Sequence, residues 1–541
     1  MNTQSKSVHH EYKLNTAADR PLIFMSIACV VVVAGSIYLF PEATNKYASI
    51  LFGLVTDYLG SSIQLIVLIG LFICLYIAFS KYGNIKMGDQ EPEYKTMPWL
   101  FMFVCAGIGS SIFYWATIEW VYYYQSPGLG LTPKSQKALE STAAYSFFHW
   151  GISAWSAYAL ASIAFTYHIH VRKNKGLSLS GMISAIFRID SRGFVGKVVD
   201  MVFLLSSVGA LTLSLVLSVI ILSIGLSALL GIPDNFITRA IITIASATMF
   251  LLSTYMGIDK GMQNLSSVLG YGTLILAAIV LVIGPTQFIL DNIVNSMGFI
   301  FSNYFGMSLF TDPYGDGNFT KSWTVYYWLW WISYTPAVAL FVARVSAGRK
   351  MREIIWAFLL GSSSGTWFLF GVLESYSIHE FLTGALDVVN IVNEKGGEAA
   401  LVATFLHLPL GKVFLAVLLF LMIVMLASHV DAVAYAMAAT STRNLSEGQD
   451  PSRGMKLFWC ILLTLIPLAM LYINAPLSVL KTSVVLSGLP FLLILLIIMF
   501  GFIRWLINDY SRVPSHTIDT YVLCIDDNEE REPSFKPNIK G

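Results

Sequence analysis

Apolar residues occur along this chain in long runs that are separated by shorter polar stretches. A run of about 18 or more apolar residues is long enough to cross a bilayer as a helix. We therefore expect an all-α integral membrane protein that interacts with the lipid bilayer through twelve transmembrane helices. The pattern places them at residues 21–41, 62–81, 97–124, 143–170, 198–230, 236–256, 265–290, 321–346, 352–377, 411–440, 456–474 and 482–506.

A less apolar stretch, residues 291–320, separates two sets of five predicted helices. It contains DPYGDGN and is interpreted as an interfacial helix followed by an external loop. Two sets of equal size suggest an inverted repeat, a design common in transporters. The predicted regions are a tail (1–20), two leading helices (21–96), a first block (97–290), the separating stretch, a second block (321–508) and an acidic tail (509–541).

Composition and charge support this class. Of the 541 residues, 56% are hydrophobic and 12% are charged, about half the charged fraction of a typical soluble domain. The net charge of +1 does not indicate a nucleic-acid partner. The five cysteines are scattered, without the spacing of a metal site or a disulfide framework. We therefore expect no metal and no cofactor.

Lysine and arginine are concentrated in the loops after the fourth, eighth and tenth predicted helices, and the odd-numbered loops are poorer in both. Positively charged loops tend to remain in the cytoplasm. This distribution, together with an even number of helices, predicts that both termini are cytoplasmic.

The segment WTVYYWLWW, residues 323–331, is unusually rich in aromatic residues. Trp323, Tyr327, Trp330 and Tyr334 recur at helical spacing and should share one face. A lipid-facing belt, a packed core and a cation-binding box are all consistent with such a stripe. Because the stripe continues toward the middle of the membrane, it favours a box for a quaternary ammonium, in which each ring face contributes up to about 2 kcal/mol.

The segment CAGIGSS, residues 105–111, lies inside the third predicted helix. Glycine in a helix costs about 1 kcal/mol relative to alanine, so Gly107 and Gly109 weaken this helix. Small residues could serve close packing between helices. Alternatively, the segment is unwound and its free backbone amides meet a substrate carboxylate, which a membrane tolerates only beside a cavity or inside protein.

Several stretches resemble the betaine/carnitine/choline transporter family across roughly residues 20–510. SWTVYYWLWW (322–331) is similar to its signature, ARVSAGRKMRE (343–353) to the segment that follows, and HWGISAWSAY (149–158) to its histidine–tryptophan pattern. Within the family, IEWVYYYQSP (118–127) and FFHWG look most like the carnitine/γ-butyrobetaine exchanger.

The resemblance implies a fold of the leucine-transporter type, with twelve helices and a five-helix inverted repeat, a homotrimer and the bacterial inner membrane. It also implies that a quaternary ammonium or sulfonium substrate binds in an aromatic box, with its carboxylate near the unwound stretch. The substrate-binding residues carried over from the family are Tyr123, Trp150, Trp155, Tyr158, Trp330, Trp331, Tyr334, Gly107, Gly109 and Ser111.

The chain also departs from the family pattern. Ser111 stands where choline-selective members are acidic, which disfavours choline. In LASHVDA, Ser428 is followed by His429, where sodium-coupled members have a second hydroxyl, and this puts sodium coupling in question. The sodium-independent exchanger has an arginine near the position of Leu269, which is apolar here. His429 and Asp431 are ionisable groups inside a predicted helix and are coupling candidates.

These patterns predict a secondary transporter, not an enzyme, for trimethylammonium zwitterions such as L-carnitine, γ-butyrobetaine or glycine betaine. Choline or dimethylsulfoniopropionate is the alternative substrate. A channel or a receptor on the same scaffold is the alternative class of protein. Charge on His429 would make transport depend on pH, whereas a neutral, hydrogen-bonded His429 would have only a structural role.

Overall fold

The computed structural model describes residues 17–518, except 175–176, 257, 444, 446–448 and 474–476. Residues 1–16 and 519–541 of the two predicted tails therefore lie outside the described residues. Nineteen α-helices are described in this range: α1 Arg20–Leu39, α2 Pro41–Phe79, α3 Thr96–Gly107, α4 Ile112–Gln125, α5 Gln136–His149, α6 Ile152–Thr166, α7 Leu179–Phe187, α8 Phe194–Leu230, α9 Phe236–Met256, α10 Ile258–Ile283, α11 Thr286–Leu309, α12 Tyr326–Val345, α13 Met351–Trp356, α14 Ser363–Leu382, α15 Val388–Lys395, α16 Gly397–His407, α17 Gly411–Thr440, α18 Arg453–Tyr472 and α19 Leu477–Tyr510.

Most of the predicted membrane helices are long and apolar enough to cross a bilayer. Within the described residues, eight helices meet this condition, and the bent pair α3–α4 makes a ninth if it counts as one span. The other three predicted spans, 143–170, 236–256 and 321–346, also contain helices, although these are shorter or less apolar. The chain is thus a multi-pass helical membrane protein.

Two predicted helices are interrupted. The third, 97–124, breaks between α3 and α4 with a bend of 59°. The fourth, 143–170, breaks at Trp150–Gly151, between α5 and α6. A Cβ atom at Gly151 would overlap the carbonyl oxygen of Phe147 and lie 2.5 Å from Nε1 of Trp367, so the observed backbone leaves no room for a side chain at this position.

Other helix ends also differ from the sequence pattern for local reasons. The helix predicted at 265–290 ends at Ile283, and α11 begins separately at Thr286. Pro285 lies between them and has no N–H group with which to continue the helix. π-Helical turns at Tyr167–Val171, Thr320–Val325 and Ala357–Ser362 adjoin α6, α12 and α14.

The centre of the bundle is formed by α6 and α12, which pack against each other. Helices α3, α8, α17 and α19 also contact α12. Almost every side chain of α12 is buried, including all its tryptophans and tyrosines. The aromatic stripe therefore faces protein rather than lipid.

A short two-stranded sheet links two segments at one end of the bundle. Strand β1, Ala17–Ala18, pairs antiparallel with β2, Thr442–Arg443. Arg443 also donates a hydrogen bond of 2.8 Å to Asp19. Burial raises the pKa of the Asp19 carboxyl, but the hydrogen bond and charge of Arg443 lower it more, so that its pKa lies below its ordinary value. This short sheet joins the start of α1 to the end of α17.

Candidate substrate site

The broken stretch between α3 and α4 lies at the centre of the bundle because its glycines allow close contact. A Cβ atom at Gly107 would lie 2.7 Å from Cε2 of Tyr158, and one at Gly109 would overlap the Ser214 hydroxyl. Ile108 between them is extended, with φ −132° and ψ 127°. The Tyr158 hydroxyl donates a hydrogen bond of 3.1 Å to the freed carbonyl of Gly107.

Next to this stretch is a small cavity with aromatic walls. Its volume of about 20 Å³ is enough for roughly one water molecule, so the rings must separate before a trimethylammonium group can enter. Eight of the ten sequence-predicted binding residues line it, together with Ile108: Gly107, Gly109, Ser111, Trp150, Tyr158, Trp330, Trp331 and Tyr334.

The rings around the cavity meet mostly edge to face. Trp150 lies with its ring centroid 5.6 Å from Trp330 and 5.7 Å from Trp331, and Tyr158 lies 4.9 Å from Trp331. The Tyr334 hydroxyl donates a hydrogen bond of 2.6 Å to the carbonyl of Ala210. The rings therefore come from the α5–α6 break, α6 and α12, and they face the broken stretch across the cavity.

The other two predicted binding residues lie outside this cavity. Trp155 is adjacent to the cavity, with its ring centroid 5.0 Å from that of Trp331. Tyr123 belongs to an outer aromatic cluster, where its ring centroid is 5.0 Å from that of Trp323. Its hydroxyl lies 2.8 Å from Nδ1 of His149. The structure thus separates Tyr123 from the rings with which the sequence grouped it.

The coupling candidates on α17 are placed differently from one another. His429 is completely buried, with its ring 5.3 Å from Tyr334 and its Nδ1 3.4 Å from the carbonyl of Cys105. It therefore contacts both the aromatic wall and the end of α3. Ser428 and Asp431 are also buried, and none of the three residues lines the cavity.

Hydroxyl groups on α8 were not singled out by the sequence analysis. Ser214 and Ser218 are one helical turn apart and lie 3.1 Å from Ser111 and 2.6 Å from Ser110, measured between hydroxyl oxygens. Their spacing of four residues places them on one face, a signal that could have indicated a helix facing the broken stretch.

Glu119 is the other residue that sequence reasoning did not place in the site. It is fully buried in α4 and accepts a hydrogen bond of 3.1 Å from Nε1 of Trp150. It also accepts one from the hydroxyl of Tyr327. A carboxylate in an apolar membrane helix is an indication of function in itself, and this signal was available in the sequence.

These features place electron-rich ring faces opposite a broken stretch that offers backbone and hydroxyl groups. Such a pairing suits a small solute with a cationic end and a polar end. A broken helix deep in a multi-pass bundle, with a cavity beside it, is the arrangement of a secondary transporter.

Sequence comparison agrees with this class. Residues 21–511 match the model of the betaine/carnitine/choline family transporters (BCCT), and the chain belongs to this family. It is a transporter and not an enzyme.

Two relatives are similar over most of their length. A carnitine transporter of Acinetobacter baumannii is 49% identical over 501 residues, which cover 93% of this chain and 91% of the relative. An uncharacterized transporter of Escherichia coli (strain K12), YeaV, is 56% identical over 456 residues, 84% of this chain and 95% of the relative. Among solved structures, a Na⁺-coupled sialic acid symporter in a substrate-bound, outward-open state is 12% identical, with a TM-score of 0.48 and coverage of 82% and 86%.

Proposed function

We propose that this secondary transporter carries trimethylammonium carboxylates, with L-carnitine as the first candidate and γ-butyrobetaine and glycine betaine next. The observation that carries the proposal is the cavity in which Trp150, Trp330 and Trp331 face the broken stretch at Gly107–Ser111. A quaternary ammonium has no N–H group to donate, so ring faces are its natural partners. The carnitine transporter among the relatives supports this choice.

The carboxylate end of the substrate is assigned to the broken stretch. Backbone N–H groups released from helical bonding can donate hydrogen bonds to an anion there. The hydroxyls of Ser111 and Ser214 lie beside it. In this pose the ligand spans the cavity from rings to backbone, and alternating access moves it across the membrane. Ser111 provides no negative charge for the end of choline, so choline is a weaker candidate, whereas a sulfonium carboxylate suits the same two ends.

Twelve crossings in a five-helix inverted repeat, with both termini in the cytoplasm, are part of this proposal. Loop contacts support the count. Lys173 lies 3.9 Å from Asp89, which joins the loop after the fourth predicted helix to the loop after the second. Since α3–α4 can cross the membrane, the α5–α6 segment must also cross to bring these loops together.

A second contact extends the same reasoning. Lys86 forms a β-bridge with Lys350, so the loops after the second and eighth predicted helices lie on one side. The segment between Lys173 and Lys350 must therefore contain an even number of crossings. Helices α8 and α10 are long and apolar enough to span. With α11 taken as the predicted interfacial helix, α9 and α12 either both cross or both do not cross. Because α12 forms the centre of the bundle, we assign both as spans.

The position of His429 indicates whether sodium drives transport. Its ring occupies the space between Tyr334 and the end of α3, beside Ser428, where the family resemblance places a sodium site. We infer that histidine replaces the second sodium hydroxyl and that transport proceeds without sodium. A charged His429 would substitute for the sodium ion, and a neutral one would be a structural hydrogen-bonding residue. A homotrimer in the bacterial inner membrane completes the proposal.

The test is uptake of labelled L-carnitine by the purified full-length protein in proteoliposomes, with and without a sodium gradient. We expect saturable uptake that does not depend on sodium, and inhibition by γ-butyrobetaine and glycine betaine more than by choline. Preference for dimethylsulfoniopropionate over carnitine would move the assignment to sulfonium substrates. Absence of uptake for every onium compound tested would refute the proposed substrate class.

A further inference from the structure

Glu119 lies behind the aromatic box and holds two of its rings together. One carboxyl oxygen, Oε2, accepts from Nε1 of Trp150, and the other, Oε1, accepts from the hydroxyl of Tyr327. Trp150 lines the cavity. Tyr327 packs 5.6 Å from Trp150 and 5.6 Å from Trp330, measured between ring centroids. One buried side chain thus connects α4, the α5–α6 break and α12.

The chemistry of the two donors determines what this carboxyl does. An indole N–H can only donate a hydrogen bond, so Trp150 needs an acceptor in the position that Glu119 occupies. When Glu119 is ionised, its two hydrogen bonds are charge-assisted, and they are then stronger and more directional than neutral ones. They restrict rotation of the Trp150 and Tyr327 rings about their side-chain bonds.

A carboxylate at the edge of these rings also changes how they attract a cation. Hydrogen bonding of an indole N–H or a phenol O–H to an anion shifts electron density into the ring, and a cation is attracted by the electron-rich ring face. The cavity itself has no acidic residue in its lining. The negative charge is thus one ring away from the ligand, where it need not be desolvated again at each turnover.

Other charged groups are close to this assembly. The ammonium of Lys481 lies 4.1 Å from the ring centroids of both Trp323 and Tyr326 and 3.3 Å from the carbonyl of Ser322. Glu374 on α14 is also fully buried. Its charge acts on Glu119, so it is not independent of the box. Glu380 on α14 is also buried, and its carboxyl pairs with His379 and His407, so it provides the matched control.

We propose that Glu119 is an ionised positioning residue of the cation site, which orients Trp150 and Tyr327 and makes their rings electron-rich. It thereby gives the site its preference for a positively charged group over a neutral group of the same shape. This inference rests on the proposed function, because it concerns the same cavity and the same class of ligand.

The first experiment separates charge from shape. Binding of L-carnitine is compared with binding of its neutral isostere, in which a tert-butyl group replaces trimethylammonium, to the full-length protein and to Glu119→Gln and Glu380→Gln. We expect Glu119→Gln to weaken carnitine binding by about tenfold, the equivalent of one lost charge-assisted hydrogen bond. The isostere should change by less than about threefold, because it gains nothing from ring polarisation.

The control variants distinguish an effect of charge from an effect of shape. Glu380→Gln should leave the ratio between the two ligands unchanged. An equal loss for carnitine and its isostere in Glu119→Gln would overturn the electrostatic role, because it would show a change of shape alone. An unchanged carnitine affinity in Glu119→Gln would overturn the whole proposal. Partial recovery in Glu119→Asp, which keeps the charge, is expected.

A second measurement needs no ligand. The indole ¹⁵N–H resonance of Trp150, assigned with Trp150→Phe, should move upfield in Glu119→Gln because the bond to a carboxylate is lost. A resonance that does not move would refute the positioning role. If the wild-type protein binds no onium compound, the proposed function fails, while the indole resonance still decides whether Glu119 holds Trp150.

Discussion

Replacement of Gly107 by alanine tests whether the substrate site depends on close contact between the broken stretch and α6. The new Cβ atom would lie 2.7 Å from Cε2 of Tyr158 and 3.2 Å from Cζ3 of Trp155, whereas ordinary contact begins at 3.4 Å. Tyr158 cannot simply withdraw, because its hydroxyl bonds to the Gly107 carbonyl and its ring packs on Trp331.

The magnitude follows from this overlap. Overpacking of a close-packed interior costs about 1–3 kcal/mol. If the strain is relieved by pushing Tyr158 into the cavity, that cost opposes ligand binding, and each 1.4 kcal/mol is tenfold in affinity. We therefore expect the affinity for L-carnitine to fall by roughly tenfold to a hundredfold in Gly107→Ala.

Equilibrium binding of labelled carnitine to purified protein, with monodispersity checked by gel filtration, would measure the effect. Gly365→Ala in α14 is the matched control, because no atom lies within 4 Å of its added Cβ. This control should retain wild-type affinity. An affinity within about twofold of wild type in Gly107→Ala would show that the strain is relieved away from the cavity, and our account of the broken stretch would be refuted.

Three further outcomes are expected. Trp330→Leu should weaken carnitine binding by up to about 30-fold, the value of one desolvated cation–π contact. Trp328 packs against Phe148 instead, so Trp328→Leu should leave carnitine binding unchanged. Equal losses in the two variants would contradict the proposed aromatic box. His429→Ser should restore a dependence of uptake on sodium, and identical sodium profiles for variant and wild type would refute the coupling proposal. Because the pKa of Asp19 is lowered in the folded protein, its bond to Arg443 should stabilise the β1–β2 pair above the ordinary pKa and be lost as the pH falls through the folded-state pKa. Amide hydrogen exchange of Asp19, whose N–H donates to the carbonyl of Ser441, should speed up over that range in wild type but not in Arg443→Gln, and a flat profile in both would contradict the assignment.

Much of the architecture follows from the sequence because it depends on local patterns. Long apolar runs must form helices in a membrane, since no water is present to satisfy the backbone. Aromatic residues at helical spacing in 323–334 lie on one face because residues three or four positions apart are neighbours on a helix. Glycines 107 and 109 marked the break in the third helix, because they weaken a helix wherever they occur.

The composition of the site was decided by contacts between residues far apart in the chain. Glu119 reaches Trp150 and Tyr327, which are 31 and 208 positions away, and no local pattern encodes such a pairing. At the helix break, Gly151 likewise packs closely against Trp367 of α14. Tyr123 belongs to a segment that resembles the family, yet packing places it with Trp323 and His149, outside the cavity.

The sequence by itself therefore determined the class of protein, the helices and the aromatic character of the site, because hydrophobicity and helical periodicity act over a few turns. Only the tertiary structure decided which rings enclose the cavity, that His429 meets the end of α3, and that buried Glu119 bonds to Trp150 and Tyr327. These depend on how α3, α4, α6, α8, α12 and α17 pack together, and side-chain packing of this kind is fixed only when the whole bundle has formed.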